Sequence, residues 1–412
     1  MKRRIPDTTL VHCDRTINHP QDGAVHQSTT NSVLFDFADV ADLEAVFQGK
    51  KAGHVYSRSS STAVVSLQNM LCSLEGGVAA TCFSTGMGAI SATLLSLLKQ
   101  GDHIVCSRYL FGNTRSFMQA LMDFGVSISF VDISDATALE SAINQNTKMI
   151  FCESIANPVT QVGALKEIGE ICQKHEILFV LDNTMTPFVM LDSIAINASL
   201  VITSLTKYVA GHGSVLGGVV IDTGCFDWQK YDNILEKYRG ADTSLWGMTQ
   251  IRKRGLRDIG ATLAPASAHP IALGIETMNL RLQKTCENAL ALAKFMQQHP
   301  GFKTVNYPGL EQHPHHQRAT DLFEGVYGGI LSFELADEYH YRPFLNQLKL
   351  VLRATHLGDT RTLALPVAST IFYESGQSER MKMGISEDLV RVSVGIEDIN
   401  DLIDDFSQAL NY

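Results

Sequence analysis

The sequence predicts an α/β fold organised on a mostly parallel sheet, and three observations lead there. From Val78 onward, short apolar runs alternate with stretches whose apolar residues recur at helical spacing, as successive βαβ units require. Two of these runs, Met149–Cys152 and Ile177–Leu181, are each followed at once by a carboxylate, Glu153 and Asp182. A third run, Leu200–Thr203, opens into Ser204-Leu205-Thr206-Lys207-Tyr208, with Gly211-His212 and Gly217-Gly218 beyond. Ligands bind along the edge where parallel strands end, so Asp182 and Lys207 are expected as neighbours in space. Lys207 taken alone reads as a solvated charge; a buried acid facing it on that edge makes a site.

In chain order, residues up to about 60 read as a polar, irregular arm containing His12, Asn18-His19-Pro20 and Ser28-Thr29-Thr30-Asn31. Such an arm either moves freely or packs on something, and a partner subunit is the expected support. Tyr56-Ser57-Arg58-Ser59-Ser60-Ser61-Thr62 closes it, either as a flexible serine-rich loop or as an anion-binding loop using Arg58. Val78–Phe83 reads as a buried strand, Ser84-Thr85-Gly86-Met87-Gly88 as a turn, and Ala89–Leu98 as a helix. Free N–H groups at such a helix start suit a phosphate, although glycines also serve ordinary tight turns.

Strands follow at His103–Cys106, Val126–Val131 and Met149–Glu153, separated by helices over Thr114–Phe124 and Ala136–Asn144. Leu165, Ile168, Ile171 and Cys172 mark one helix face, and the strands Ile177–Leu181 and Leu200–Thr203 end the series. The character changes near Ala264-Pro265. Ile275, Met278, Leu282, Cys286, Ala289, Ala293 and Met296 trace one long helix expected to link two domains. Ile330–Leu335 alternates as a strand, and Asp398 caps a last helix buried through Ile399, Leu402, Ile403, Phe406 and Leu410.

The net charge of −10 leaves no broad cationic surface, which argues against nucleic acid and anionic membrane as partners. Eight cysteines without a C-x-x-C pattern, several inside apolar runs, fit a reducing cytoplasm rather than a disulfide framework. Met1-Lys2-Arg3-Arg4 is basic, but no apolar stretch of signal-peptide length follows it. Gly76–Leu98 carries no charge, yet ten of its residues are Gly, Ser or Thr, so strand, turn and helix describe it better than a membrane span. Arg252-Lys253-Arg254 with Arg257 reads as a solvated helix or interface patch. His313, His315 and His316 lack a Cys or carboxylate at zinc-like spacing, so no metal is expected there.

Six motifs in order, Tyr56-x-Arg58, Ser84-Thr85-Gly86-Met87, Glu153-Ser154-x-Ala156-Asn157-Pro158, Asp182-Asn183-Thr184, Ser204-x-Thr206-Lys207-Tyr208 and Arg391-x-Ser393-Val394-Gly395, together resemble the Cys/Met-metabolism family of pyridoxal-phosphate enzymes. That family contains cystathionine γ-synthases and lyases, methionine γ-lyases and O-acylhomoserine sulfhydrylases, and the resemblance runs from about Gly53 to the C-terminus. It implies the fold-type I, aspartate-aminotransferase-like architecture. Residues 1–62 would then be an arm serving a neighbouring subunit's site, 63–263 a cofactor-binding large domain, and 264–412 a smaller α/β domain carrying the substrate-carboxylate arginine. By the resemblance Lys207 would hold pyridoxal 5'-phosphate and act as acid and base, and Asp182 would pair with the pyridine nitrogen. Gly86, Met87, Ser204 and Thr206 would bind the phosphate, reached also by Tyr56 and Arg58 of a neighbouring subunit. Glu153 and Thr184 belong to the cofactor motifs, Asn157 would bond the ring oxygen, and Arg391 would clamp the substrate carboxylate, with His356 and Thr362 beside the substrate. A dimer with shared sites, and by family habit a homotetramer of dimers in the cytoplasm, is implied.

The departures are informative. Phe111 stands where the family usually stacks a Tyr on the cofactor, so the hydroxyl that could protonate a leaving group is gone. Asn113 stands where methionine γ-lyases tend to carry Cys, and Thr355-His356-Leu357-Gly358-Asp359 replaces the Glu-Ser-Leu-Gly-Gly of cystathionine-handling members. Ser61-Thr62 stands in place of the usual Asn-Pro. The expectation is γ-replacement on an O-acylhomoserine by a sulfur nucleophile. The rivals are γ-elimination from methionine or cystathionine and, more remotely, a non-catalytic cofactor-binding descendant.

Overall fold

The computed structural model describes residues 5–17 and 23–411; Asn18-His19-Pro20 and the basic Met1-Lys2-Arg3-Arg4 lie outside the described residues. The larger sheet has seven strands: β1 (Ala79–Phe83), β2 (His103–Ser107), β3 (Ser127–Val131), β4 (Thr147–Glu153), β5 (Leu178–Asp182), β6 (Leu200–Thr203) and β7 (Gly218–Asp222). Their order is β1-β7-β6-β5-β4-β2-β3. Strands β3, β2, β4, β5 and β6 run parallel, while β7 lies antiparallel between β6 and β1. The expected series therefore stops one strand short. Gly217-Gly218 reads as a turn, and only the three residues Val219-Val220-Ile221 carry the β7 pattern.

The central strands are continuous apolar runs because both faces are covered. Ile150, Cys152, Phe179, Leu181 and Val201 face one core, shared with the helices Thr62–Glu75 and Leu165–His175. Met149, Phe151, Leu178, Val180, Leu200 and Ile202 face the other, against the helix Gly86–Leu97.

The N-terminal stretch is not irregular throughout. A helix over Asp7–Ile17 buries Leu10 and Cys13 against the helices Thr62–Glu75 and Pro265–Glu276. A second helix, Val40–Phe47, is capped by Asp39 and buries none of its residues; Val40 and Phe47 are 67% and 69% exposed. The long linking helix is in fact two, Pro265–Glu276 and Met278–Gln298, because the backbone leaves helical geometry at Thr277 (ψ 8°). Beyond it a five-stranded sheet of β8 (Phe302–Asn306), β9 (Ile330–Leu335), β10 (Leu352–Arg353), β11 (Leu363–Pro366) and β12 (Val390–Ser393) has the order β10-β11-β12-β9-β8. The last helix, Ile399–Gln408, is capped by Asp398 as its sequence indicates.

The basic cluster differs from its expectation at Arg252, whose guanidinium donates to Thr81 Oγ1 (2.9 Å) and to the Ala80 carbonyl (2.6 Å), tying it to β1. His313, His315 and His316 engage Thr160, the Val162 amide and the Pro308 carbonyl. A different group gathers at long range: His26 Nδ1 lies 3.3 Å from both an Asp14 and a Glu276 carboxylate oxygen.

Candidate active site

The ends of β1, β4, β5 and β6 meet at a cavity of about 360 Å³. The turn after β1 starts the helix Gly86–Leu97, and Thr85 caps it by accepting from the Gly88 amide at 2.8 Å. A side chain at 86 is impossible without movement, since its Cβ would stand 2.8 Å from Ser204 Cβ. This close approach joins the helix start to the turn after β6 and puts Gly86 and Met87 with Ser204 and Thr206 on one concavity, the Thr206 hydroxyl exchanging hydrogen bonds with Gly217. Thr184 braces the arrangement: its amide donates to Asp182 Oδ1 (3.0 Å) and its hydroxyl accepts from the Ser204 amide (2.9 Å).

Three charges converge on this pocket from different elements. Asp182 ends β5; it is buried, and burial raises its carboxyl against the opposing hydrogen bonds from Thr184. Lys207 follows β6, and burial, then the Arg391 charge, pulls its amine down to about 8. Arg391 comes from β12 of the smaller sheet, only 2% exposed. Its guanidinium donates to the His356 carbonyl (2.7 Å) and to Asn157 Oδ1 (3.4 Å), leaving Nε buried without a partner. Such a group costs free energy until an acceptor arrives. Glu153, at the end of β4, accepts from the Phe111 amide at 2.8 Å and keeps its second oxygen buried and unbonded. Burial first, then Asp182, raise the Glu153 carboxyl well above the usual range.

Of the residues singled out in the sequence, Gly86, Met87, Phe111, Glu153, Asn157, Asp182, Thr184, Ser204, Thr206, Lys207, His356 and Arg391 all line this one cavity. Tyr56 and Arg58 do not. Tyr56 is 45% exposed, and Arg58 donates to the Arg257 carbonyl with its guanidinium 5.5 Å from the Tyr56 ring. Thr362 also lies outside: its amide and hydroxyl are taken by the Glu397 carboxylate, and its oxygen receives the Gly395 amide. The imidazole of His356 meets Lys207, with Nδ1 3.1 Å from Nζ. Sequence reasoning missed Ile90, Thr114, Met185 and Leu216 as lining residues and named Thr85 only within its motif. A Thr before the Gly-rich helix start was a usable capping signal for Thr85; the apolar ones carry no signal distinct from core.

The residues present suit a phosphorylated pyridine aldehyde. Small residues and a helix start form an anion cradle, a buried acid and a half-buried lysine of lowered basicity line the same cavity, and so do Glu153 and Arg391, each with an orphaned buried polar atom. Fold and pocket are those of a fold-type I pyridoxal-phosphate enzyme. The chain belongs to the Cys/Met metabolism PLP-dependent enzymes, whose family model matches residues 7–411 and so starts well before Gly53, from about which the sequence resemblance runs. It is 37% identical over 405 residues to an L-methionine γ-lyase of Pseudomonas putida, covering 96% of each chain. It is 34% identical to a homocysteine synthase of Schizosaccharomyces pombe, covering 91% of each. Among solved structures, one assigned as an O-acetylhomoserine (thiol)-lyase of Campylobacter jejuni superimposes with a TM-score of 0.92 at 31% identity, over 98% of this chain and 99% of that one, and carries a pyridoxyl-lysine phosphate. The cofactor is pyridoxal 5'-phosphate, and the protein is an enzyme of sulfur amino-acid metabolism.

Proposed function

We propose that the chain is a transferase that replaces the γ-acyloxy group of an O-acylhomoserine with a sulfur nucleophile. Bound pyridoxal phosphate supplies the electron sink for negative charge developed at the substrate α carbon. The chain's own groups do the rest. Arg391 takes the substrate carboxylate on its unpartnered Nε side, an interaction that also fixes where Cα stands. Lys207, desolvated and beside Arg391, takes a proton from Cα and then from Cβ. Asp182 is the counter-charge for a protonated pyridine nitrogen. Gly86, Met87, Ser204 and Thr206 hold the phosphate, Asn157 the ring oxygen, and the Phe111 ring covers the cofactor face.

The observation that carries replacement over elimination is Phe111. None of this chain's own lining residues is a Tyr or a Cys, and the Tyr56 that a second copy would bring is assigned to the phosphate, so no phenol or thiol is left to protonate a departing thiolate. A carboxylate leaves from an acyl ester without such help. The L-methionine γ-lyase relatives keep elimination as the second reading. The test is Phe111→Tyr: it should raise 2-oxobutyrate release from methionine while leaving homocysteine formation from O-acetylhomoserine and sulfide near the wild-type rate. An unchanged methionine rate in that variant would remove the argument.

We further propose that residues 1–62 serve a second copy, as parts of a homotetramer of dimers. Tyr56 and Arg58 stand outside their own pocket, and Val40 and Phe47 present apolar surface that none of the described residues covers. Residues 63–263 and 264–412 are the large and small domains of this reading. Eight free cysteines support a cytoplasmic location, and no described helix is long and apolar enough to cross a membrane.

A further inference from the structure

His356 has backbone geometry that few residues accept. Its φ is +124°, a strained conformation for a residue with a side chain. The strain is held from several sides. Arg391 donates to the His356 carbonyl, the Gly358 amide donates to Ser393 Oγ, and Gly358 packs so closely that a Cβ there would stand 2.7 Å from the Tyr208 amide. The segment is thereby pressed onto the backbone of Lys207 and Tyr208, and the imidazole is delivered to Lys207 Nζ. Strain kept by this many contacts, beside the reacting amine, points to a function for the side chain it aims.

We propose that His356 is a positioning residue for Lys207: Nδ1 accepts a hydrogen from Nζ and sets where the amine stands whenever it is not joined to the cofactor. Burial, then Lys207, pull the imidazole down to about 4, so it is neutral near pH 7, and with its one proton on Nε2, which is buried without a partner, Nδ1 is left as the acceptor. The charged groups around the pair are Arg391, which disfavours the ammonium, Asp359, which favours a cationic imidazole, and the Glu153–Asp182 carboxyls across the pocket. Against Arg391, the imidazole supplies the hydrogen bond that keeps a protonated Lys207 in place. Its own carbonyl is bonded to Arg391, so one residue links the carboxylate clamp to the amine. The inference rests on Lys207 being the amine that carries the cofactor, and is independent of which acyl substrate is used.

The experiment is covalent capture of pyridoxal phosphate by apo-enzyme, followed by absorbance from pH 6 to 10, with no amino-acid substrate present. Only the free amine attacks, so the capture rate rises with pH through the Lys207 pKa. His356→Phe keeps the bulk and removes the acceptor; the ammonium loses a hydrogen bond, and the rising limb should move down by about one pH unit with a lower plateau. His356→Asn keeps an acceptor near the Nδ1 position and should restore the wild-type limb. Should the Phe variant not fold, His356→Gly tolerates the backbone angle, and its slowed capture should recover when free imidazole is added. Profiles of the Phe and Asn variants that both overlay wild type, or are displaced equally, overturn the proposal, as does a Gly variant indifferent to imidazole. Covalent capture by Lys207→Ala would instead overturn the assignment of Lys207 itself.

Discussion

Glu153 and Asp182 stand opposite one another in the β4–β5 register, each the last residue of its strand, and both are buried. Two carboxylates side by side in a dry site do not both ionise, so one holds the proton. Asp182 accepts from the Thr184 amide and Glu153 from the Phe111 amide, so hydrogen bonding does not separate them; burial raises both, and the Asp182 charge raises Glu153 further, so the proton rests on Glu153. The pair assigns one anion to the pyridine nitrogen and one neutral support to the Phe111 backbone.

Glu153→Gln should accordingly be mild, because a neutral acceptor for the Phe111 amide remains; turnover is expected within about tenfold of wild type. Asp182→Asn removes the counter-charge and should cost more than roughly a hundredfold. Steady-state kinetics on the two variants distinguish them. Equal losses would contradict the assignment.

Arg391→Ala should raise KM and lower kcat/KM by roughly 10²–10³, the range for removing one partner of a buried charge-assisted pair. Arg391→Lys should recover only part of it, since a single ammonium cannot reproduce the fork.

Shared sites predict complementation. Lys207→Ala and Arg58→Ala chains are each expected to be nearly inactive alone. Co-expressed, half the dimers are mixed and carry one intact site, so about a quarter of wild-type activity should return. No recovery would place Arg58 in its own chain's site.

Glu75, buried at the end of the helix Thr62–Glu75, is pushed up to about 7 by burial against a hydrogen bond from Ser193. A raised acid is protonated in the folded protein at pH values where the unfolded chain has already ionised. Its stabilising contribution is present below about pH 4.5 and is lost as pH rises through 7. Denaturant melts between pH 4.5 and 8 should show wild type losing up to roughly 3 kcal/mol relative to Glu75→Gln. Parallel curves would refute the shift.

Much of this was readable from the chain. Strands β2, β4, β5 and β6 announce themselves because a sheet covered on both faces needs apolar runs, the edge strand β3 by its alternation; Glu153 and Asp182 follow such runs directly and Lys207 follows in the turn after β6. Arg391 was legible only through its motif. What escaped depends on distant contacts. Strand β7 begins on Gly218 and ends on Asp222, leaving three apolar residues between them, and the break at Thr277 interrupts an intact apolar stripe. The helix Asp7–Ile17 owes its place to neighbours at 62–75 and 265–276 rather than to its own pattern. The His356–Lys207 contact spans 149 residues and needs a backbone angle that the sequence does not advertise. Thr362 follows the His356 segment in the chain, yet Glu397 claims its amide and hydroxyl.

The most direct measurement is a product count from O-acetylhomoserine and from methionine, each with and without sulfide. Homocysteine should form from O-acetylhomoserine only when sulfide is present, with little 2-oxobutyrate from either substrate. Abundant 2-oxobutyrate regardless of sulfide would contradict this and make the enzyme a lyase.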